Sequence, residues 1–142
     1  MPIHTMALAA ALAALHFSCY EIRRLNMKII TKKGTITISE KIIALIAGYA
    51  ALNCFGVKGM VVRNFSDELT LLLKGENFHK GVKVRTKGNY VSIELHIAVQ
   101  YGMNMSAVSR AIMEEVQYVV ESQTGLKVSA VDVHIDTIIL AD

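Results

Sequence analysis

The residues best suited to chemistry fall in two short alternating runs. Glu94 and His96 form one, and Asp132, His134 and Asp136 form the other. With a side-chain period of two, each set lies on one face of its own strand. If the two strands are neighbours, two imidazoles and three carboxylates converge. Such a set suits a divalent metal ion or acid–base work. The same alternation also describes the solvated face of a one-sided sheet. No turn fixes the register of these two strands, and no nucleophile motif stands beside them. The five residues are therefore a candidate polar face, with no catalytic, cofactor-binding or metal-ligating role assigned.

Other chemistries find little support. There is no glycine–lysine phosphate loop and no dinucleotide fingerprint after a strand. Gly56-Val57-Lys58-Gly59 has the spacing of the GXXG element that clamps a nucleic-acid backbone, and Lys83, Arg85 and Lys87 extend a basic patch. Gly59, however, runs into apolar Met60-Val61-Val62 rather than into a helix. A formal net charge of +3 is too small to argue for nucleic acid by itself. Two cysteines build neither a disulfide framework nor a four-thiolate metal site. Cys54 follows an apolar helix beside Phe55 and reads as a packed thiol. His79, between Phe78 and Lys80, reads as a solvated loop residue.

The elements that must position these residues are well marked. Thr35 to Ile38 alternates as a short strand. Ser39 is placed to cap a helix from Glu40 to Leu52, with Glu40 in its first turn. After Lys41 this helix is apolar all round, so it should be buried all round, against the sheet and against either a second helix or another subunit. A short strand follows Gly56 and ends near Arg63. Asn64, Ser66 and Asp67 are possible caps for a helix through Leu73. Val82 and Val84 alternate with Lys83 and Arg85, and Lys87-Gly88-Asn89 makes a hairpin turn. The returning strand sends Val91, Ile93, Leu95, Ile97 and Val99 to one face, and Ser92, Glu94, His96 and Ala98 to the other. Asn104 or Ser106 caps a long helix to about Thr124, with Val108, Ile112, Val116 and Val119 as its buried stripe. Gly125 ends it, and Lys127 to Leu140 is a final strand. The order is β-α-β-α-β-β-α-β. This is an α+β two-layer domain, with one mixed, largely antiparallel sheet carrying its helices on one face.

The 142 residues suit a single domain, and 53% of them are hydrophobic, with a mean hydropathy of +0.40. Disorder is excluded at that composition. The excess is uneven: 17 of the first 26 residues are hydrophobic, and Met6–Leu15 contains only Met, Ala and Leu. That run is too short to span a bilayer and lacks the basic segment that precedes a secretory signal. If Arg23 and Arg24 are both encoded AGG, the message carries a bacterial ribosome-binding sequence two codons before Met27. Residues 1–26 are thus read as a leader upstream of the natural start, or as a loosely docked helix, and 27–142 as the domain.

Several segments in order resemble one family: Gly34-Thr-Ile-Thr-Ile-Ser, Ala47-Gly48, Gly56-Val57-Lys58-Gly59-Met60, Glu76-Asn77-Phe78-His79-Lys80-Gly81-Val82-Lys83-Val84, Tyr101-Gly102, Thr124-Gly125-Leu126 and Val131-x-Val133. Together, over about residues 28–140, they resemble the alkaline shock proteins, envelope stress response proteins of Gram-positive bacteria. The chain is similar to the shorter, housekeeping type. The resemblance implies a non-enzymatic cytoplasmic scaffold with no cofactor, acting by self-association and partner binding. It further implies a homo-oligomer, with a membrane-anchor protein or a kinase as partner and a peripheral place at the membrane through that partner. Neither nucleic-acid binding nor a direct membrane span is expected. An adaptor for a fatty-acid-activating kinase of the dihydroxyacetone-kinase type, or an RNA-binding module, is the alternative. One departure is Asp136-Thr137-Ile138-Ile139, where the family pattern has a Gly-Val pair, so the exit of the last strand stays open.

Overall fold

The computed structural model describes residues 26–63, 70–73 and 79–140. The described residues open with a hairpin of β1 (Asn26–Thr31) and β2 (Gly34–Ser39), followed by α1 (Glu40–Leu52). Next come β3 (Val57–Arg63), β4 (Thr70–Leu73), β5 (Val82–Lys87) and β6 (Tyr90–Gln100). Helix α2 (Met105–Thr124) and β7 (Lys127–Ile139) complete it. The expected leader falls almost wholly outside the described residues, apart from Asn26, which begins β1.

The α+β class, the mixed and largely antiparallel sheet, and the placement of both described helices on its apolar face agree with the sequence reading. The element string differs in two places. A strand, β1, precedes the first expected one and pairs with it from Asn26↔Ser39 to Thr31↔Gly34. The second expected helix is not found where it can be seen: Thr70–Leu73 is a strand paired antiparallel with β3, and its proposed caps lie outside the described residues. Thr-Leu-Leu-Leu is too short a run for periodicity to separate helix from strand, and the open edge of β3 decides it.

Strand β6 organises the main sheet. Along one edge it pairs in parallel with β7 from Tyr90↔Lys127 to Gln100↔Ile139. Its other edge is shared. β5 takes the first half, from Lys87↔Tyr90 to Val82↔Leu95, and β3 takes the second, from Met60↔Ile97 to Val57↔Val99. Where β3 leaves that edge and β5 enters, the backbones nearly touch. A Cβ on Gly81 would lie 2.9 Å from Met60 Cβ and 3.0 Å from the Val61 carbonyl oxygen.

The core lies between the apolar face of this sheet and the helices. Val91, Ile93, Leu95, Ile97 and Val99 are fully buried, and Ile43 from α1 and Ile112, Val116 and Val120 from α2 meet them there. Val120, not Val119, is the fourth residue of the buried α2 stripe; Val119 is partly buried. The caps are as expected. Ser39 Oγ accepts from the Ile42 N–H at 3.4 Å, and Asn104 Oδ1 accepts from the Ala107 N–H at 3.1 Å. Gly125 closes α2 at φ 72°, a conformation that costs a side-chain-bearing residue energy. The second surface of α1 packs on α2 of the same chain, but the helix is not buried all round as expected, because Ile42 and Tyr49 stay exposed.

The Gly81 approach leads to a prediction. Gly81→Ala should lower the unfolding free energy by about 1–3 kcal/mol, the usual cost of overpacking. Urea denaturation of the two proteins measures it, and an unchanged midpoint would show that the strand junction is loose.

Candidate functional site

The polar face of the sheet faces away from the helices, and parallel pairing sets its geometry. His96 lies opposite His134 and Glu94 opposite Asp132. The two imidazole rings stack with centroids 4.8 Å apart and planes 11° from parallel. The β5–β6 hairpin adds Lys83 opposite Glu94 and Arg85 opposite Ser92. Three strands thus contribute to one patch.

The hydrogen bonds centre on His96. Its Nδ1 is 2.7 Å from Asp136 Oδ2 and its Nε2 is 2.9 Å from Glu94 Oε1. Ionised carboxylates only accept, so both contacts are hydrogen bonds when each ring nitrogen carries a proton. Glu94 is the other hub. Lys83 Nζ donates to its Oε1 at 3.2 Å, Arg85 Nη2 lies 3.7 Å from Oε2, and His134 Nε2 lies 3.8 Å from Oε1. The hydrogen bond from His96 first, then the Lys83 ammonium, hold the Glu94 carboxyl below its ordinary range, against the opposing effect of burial.

Asp136 reaches His96 through an irregularity of β7. Ile97 pairs with Ile135 but Ala98 with Thr137, which leaves Asp136 as an extra, unpaired residue. Such a bulge re-aims a side chain. The edge-strand backbone at Asp136 is open to solvent, whereas its side chain is only 18% exposed. A second bulge leaves Ser129 unpaired, and its hydroxyl donates to the Val91 carbonyl at 3.2 Å.

Four of the five residues picked from the sequence therefore come together. Asp132 does not join them: it is exposed, and no hydrogen bond or ion pair links it to the cluster. Glu94, across from it, is drawn instead to Lys83 and His96. Lys83 and Arg85, read from the sequence as an extension of a basic patch, face Glu94 here. The two-residue hairpin turn fixes that pairing and was the available signal. Gly56 to Gly59 runs into strand β3, not between helices. Cys54 is partly buried, with its Sγ donating to the Ala50 carbonyl at 3.4 Å. Burial and then the charge of Glu115 push its thiol up, as expected of a packed thiol and not of a nucleophile. His79 is half-buried in a short 3₁₀ turn, not a fully solvated loop residue.

The fold and this patch describe a small α+β domain whose sheet is dry on one face and ionic on the other. The chain belongs to the alkaline shock protein 23 family, of cell envelope-related function, whose sequence pattern matches residues 28–140. It is 38% identical over 112 residues to the uncharacterized protein YloU of Bacillus subtilis, covering 78% of this chain and 93% of that one. It is 36% identical over 115 residues to the uncharacterized protein Spy1614 of Streptococcus pyogenes, covering 80% and 95%. A solved structure, the MamM CTD, aligns at a TM-score of 0.42 and 16% identity over 68% of this chain and 96% of that one, a likeness that says nothing of function. No helix among the described residues is long and apolar enough to cross a membrane.

The depressed Glu94 carboxyl fixes the sign of a pH effect. A carboxyl held below its unfolded value adds stability above that value, and the gain is lost as pH falls through the folded value. Wild type should therefore exceed Glu94→Gln in stability at neutral pH. The gap should close as pH drops through and below the ordinary carboxylate range. Urea titrations of both proteins at several pH values test this; a gap independent of pH would contradict it.

Proposed function

We propose that this protein is a non-enzymatic, cell-envelope-associated assembly protein that works by self-association and by binding partners. The observation that carries the reading is how α1 divides its side chains. Its buried residues are Ile43, Ala44, Ala47, Gly48, Ala50 and Ala51, nearly all small. Apart from Ile43, its large apolar residues sit further out: Ile42 is 47% and Tyr49 is 63% exposed, and Leu45 and Ile46 are half-buried. Residues 42, 45, 46 and 49 share one helix face. No charge interrupts the chain from Ile42 to Val57.

The small residues let α1 approach the sheet and α2 closely. Ile46 still packs against the core, but Ile42 and Tyr49, with half-buried Leu45 beside them, form an apolar stripe that the described residues of one copy leave largely uncovered. Contiguous exposed apolar surface of this kind marks an interaction site. A second copy offers the same stripe, so two α1 helices can pack about a twofold axis and remove both from water. Family membership supports a role at the cell envelope. The Glu94–His96 patch lies on the opposite side of the sheet and remains outside such a contact.

Sedimentation velocity over a concentration series tests the reading. Wild type should sediment as a dimer or larger species. Ile42→Glu combined with Tyr49→Glu should shift it to monomer while leaving the far-ultraviolet spectrum unchanged, because exposed positions tolerate substitution. A wild type that stays monomeric at high concentration would overturn self-association.

A further inference from the structure

We propose that Glu94, His96 and His134 form a binding site for a divalent ion of the zinc class, with Asp136 as the positioning residue behind His96. The juxtaposition is the argument. One ligand atom from each of the three residues falls within 4.8 Å of the others. Glu94 Oε1 lies 2.9 Å from His96 Nε2 and 3.8 Å from His134 Nε2. Ligand atoms on a tetrahedral ion with bonds of about 2.0–2.1 Å sit about 3.3 Å apart. These two distances bracket that value, and turning the His134 ring towards the ion closes the wider spread of up to 4.8 Å across the set.

The surroundings fit the same role. Histidines that ligate a metal commonly hand their other ring nitrogen to a carboxylate, which fixes ring orientation and tautomer. His96 has this arrangement: Nδ1 is held by Asp136 at 2.7 Å, and Nε2 is directed at Glu94. The bulge at Asp136 makes that contact, and His96 itself is only 14% exposed. A ring pinned on one side and aimed on the other is preorganised, and the ion takes the place of the Nε2 proton, which is released to solvent on binding. His134 is the adaptable ligand. Its side chain is 50% exposed, so its ring can turn out of the stack on His96 to face the ion. Lys83 occupies Glu94 Oε1 and would yield that oxygen to the ion, while Arg85 stays near Oε2.

The donor set selects the class of ion. Two imidazoles with one carboxylate favour zinc and its transition-metal neighbours over magnesium and calcium, which prefer all-oxygen shells. Three protein ligands leave one position for water or for a donor from another molecule. The site stands on β6 and β7, away from the α1 stripe, so its fate is independent of self-association.

Calorimetric titration of the full chain with zinc chloride tests the proposal, with magnesium chloride as the comparison. Wild type should bind one zinc per chain and give no saturable heat with magnesium. His134→Ala, at a half-exposed position, should weaken zinc binding by at least about tenfold. Asp136→Asn should weaken it by about 10–100-fold, the usual loss when such a carboxylate is removed. Cobalt substitution gives a second readout, the visible absorption of a four-coordinate ion, which His134→Ala should abolish. A wild type that binds no zinc, or equal affinity in wild type and His134→Ala, overturns the site. Equal affinity would assign the binding to other ligands of the chain.

Discussion

Strand β6 is paired along both edges and packed under the helices on one face, and the rest of the domain takes its position from it. Three strands share its hydrogen bonds: β7 along one edge, β5 and β3 end to end along the other. Its odd-numbered side chains from Val91 to Val99 are completely buried. Its polar face is half-buried as well, with Ser92, Glu94 and His96 all partly covered. A half-buried carboxylate or imidazole needs partners. Each neighbouring strand supplies some: Lys83 and Arg85 from β5, His134 and Asp136 from β7. The ionic patch is thus a consequence of placing a long strand in the middle of a sheet and covering one side of it.

How much of this was legible depends on what fixes each element. Helix α1 could be read to the residue, because Ser39 caps it and Asn53 through Gly56 end it. The β5–β6 register was equally open: a two-residue turn at Gly88-Asn89 places Lys83 against Glu94. The β6–β7 register was not, because twenty-six residues containing α2 intervene and no turn chemistry links the strands. The bulges in β7 left only a faint trace. Val128 and Val131 are three apart, which breaks the period of two, and Ser129 proves to be the extra residue between them. At Asp136 the same device resolves the exit of the last strand. The bulge changes parity, so that Ile138, and not Thr137, stands opposite Val99. β1 was missed because Asn-Met-Lys-Ile-Ile-Thr sets two apolar residues side by side before its final Thr and lacks the strict alternation that marks Thr35 to Ile38.

The helix layer shows a second division of labour. A globular domain ordinarily spends its largest apolar side chains inside. Here α1 places alanine, glycine and the single large residue Ile43 inside and keeps Ile42 and Tyr49 further out, while α2 carries a conventional buried stripe of Val108, Ile112, Val116 and Val120. The apolar all-round sequence of α1 is therefore explained only in part by packing within one chain. Close approach of α1 accounts for its small residues, while Ile42 and Tyr49 stay exposed among the described residues.

The outer edge of β7 has a bearing on how copies of such a protein can meet. Among the described residues β7 pairs with β6 alone, so thirteen residues of strand edge stand open. A long straight edge of that kind recruits further strands and leads to uncontrolled stacking into fibres. Two interruptions, at Ser129 and Asp136, break its run of donors and acceptors into short lengths. Asp132 and His134 stand exposed between them. The irregularity that brings a carboxylate to His96 thus also spoils the template. Copies of a chain with so broken an edge would meet by side chains and not by backbone.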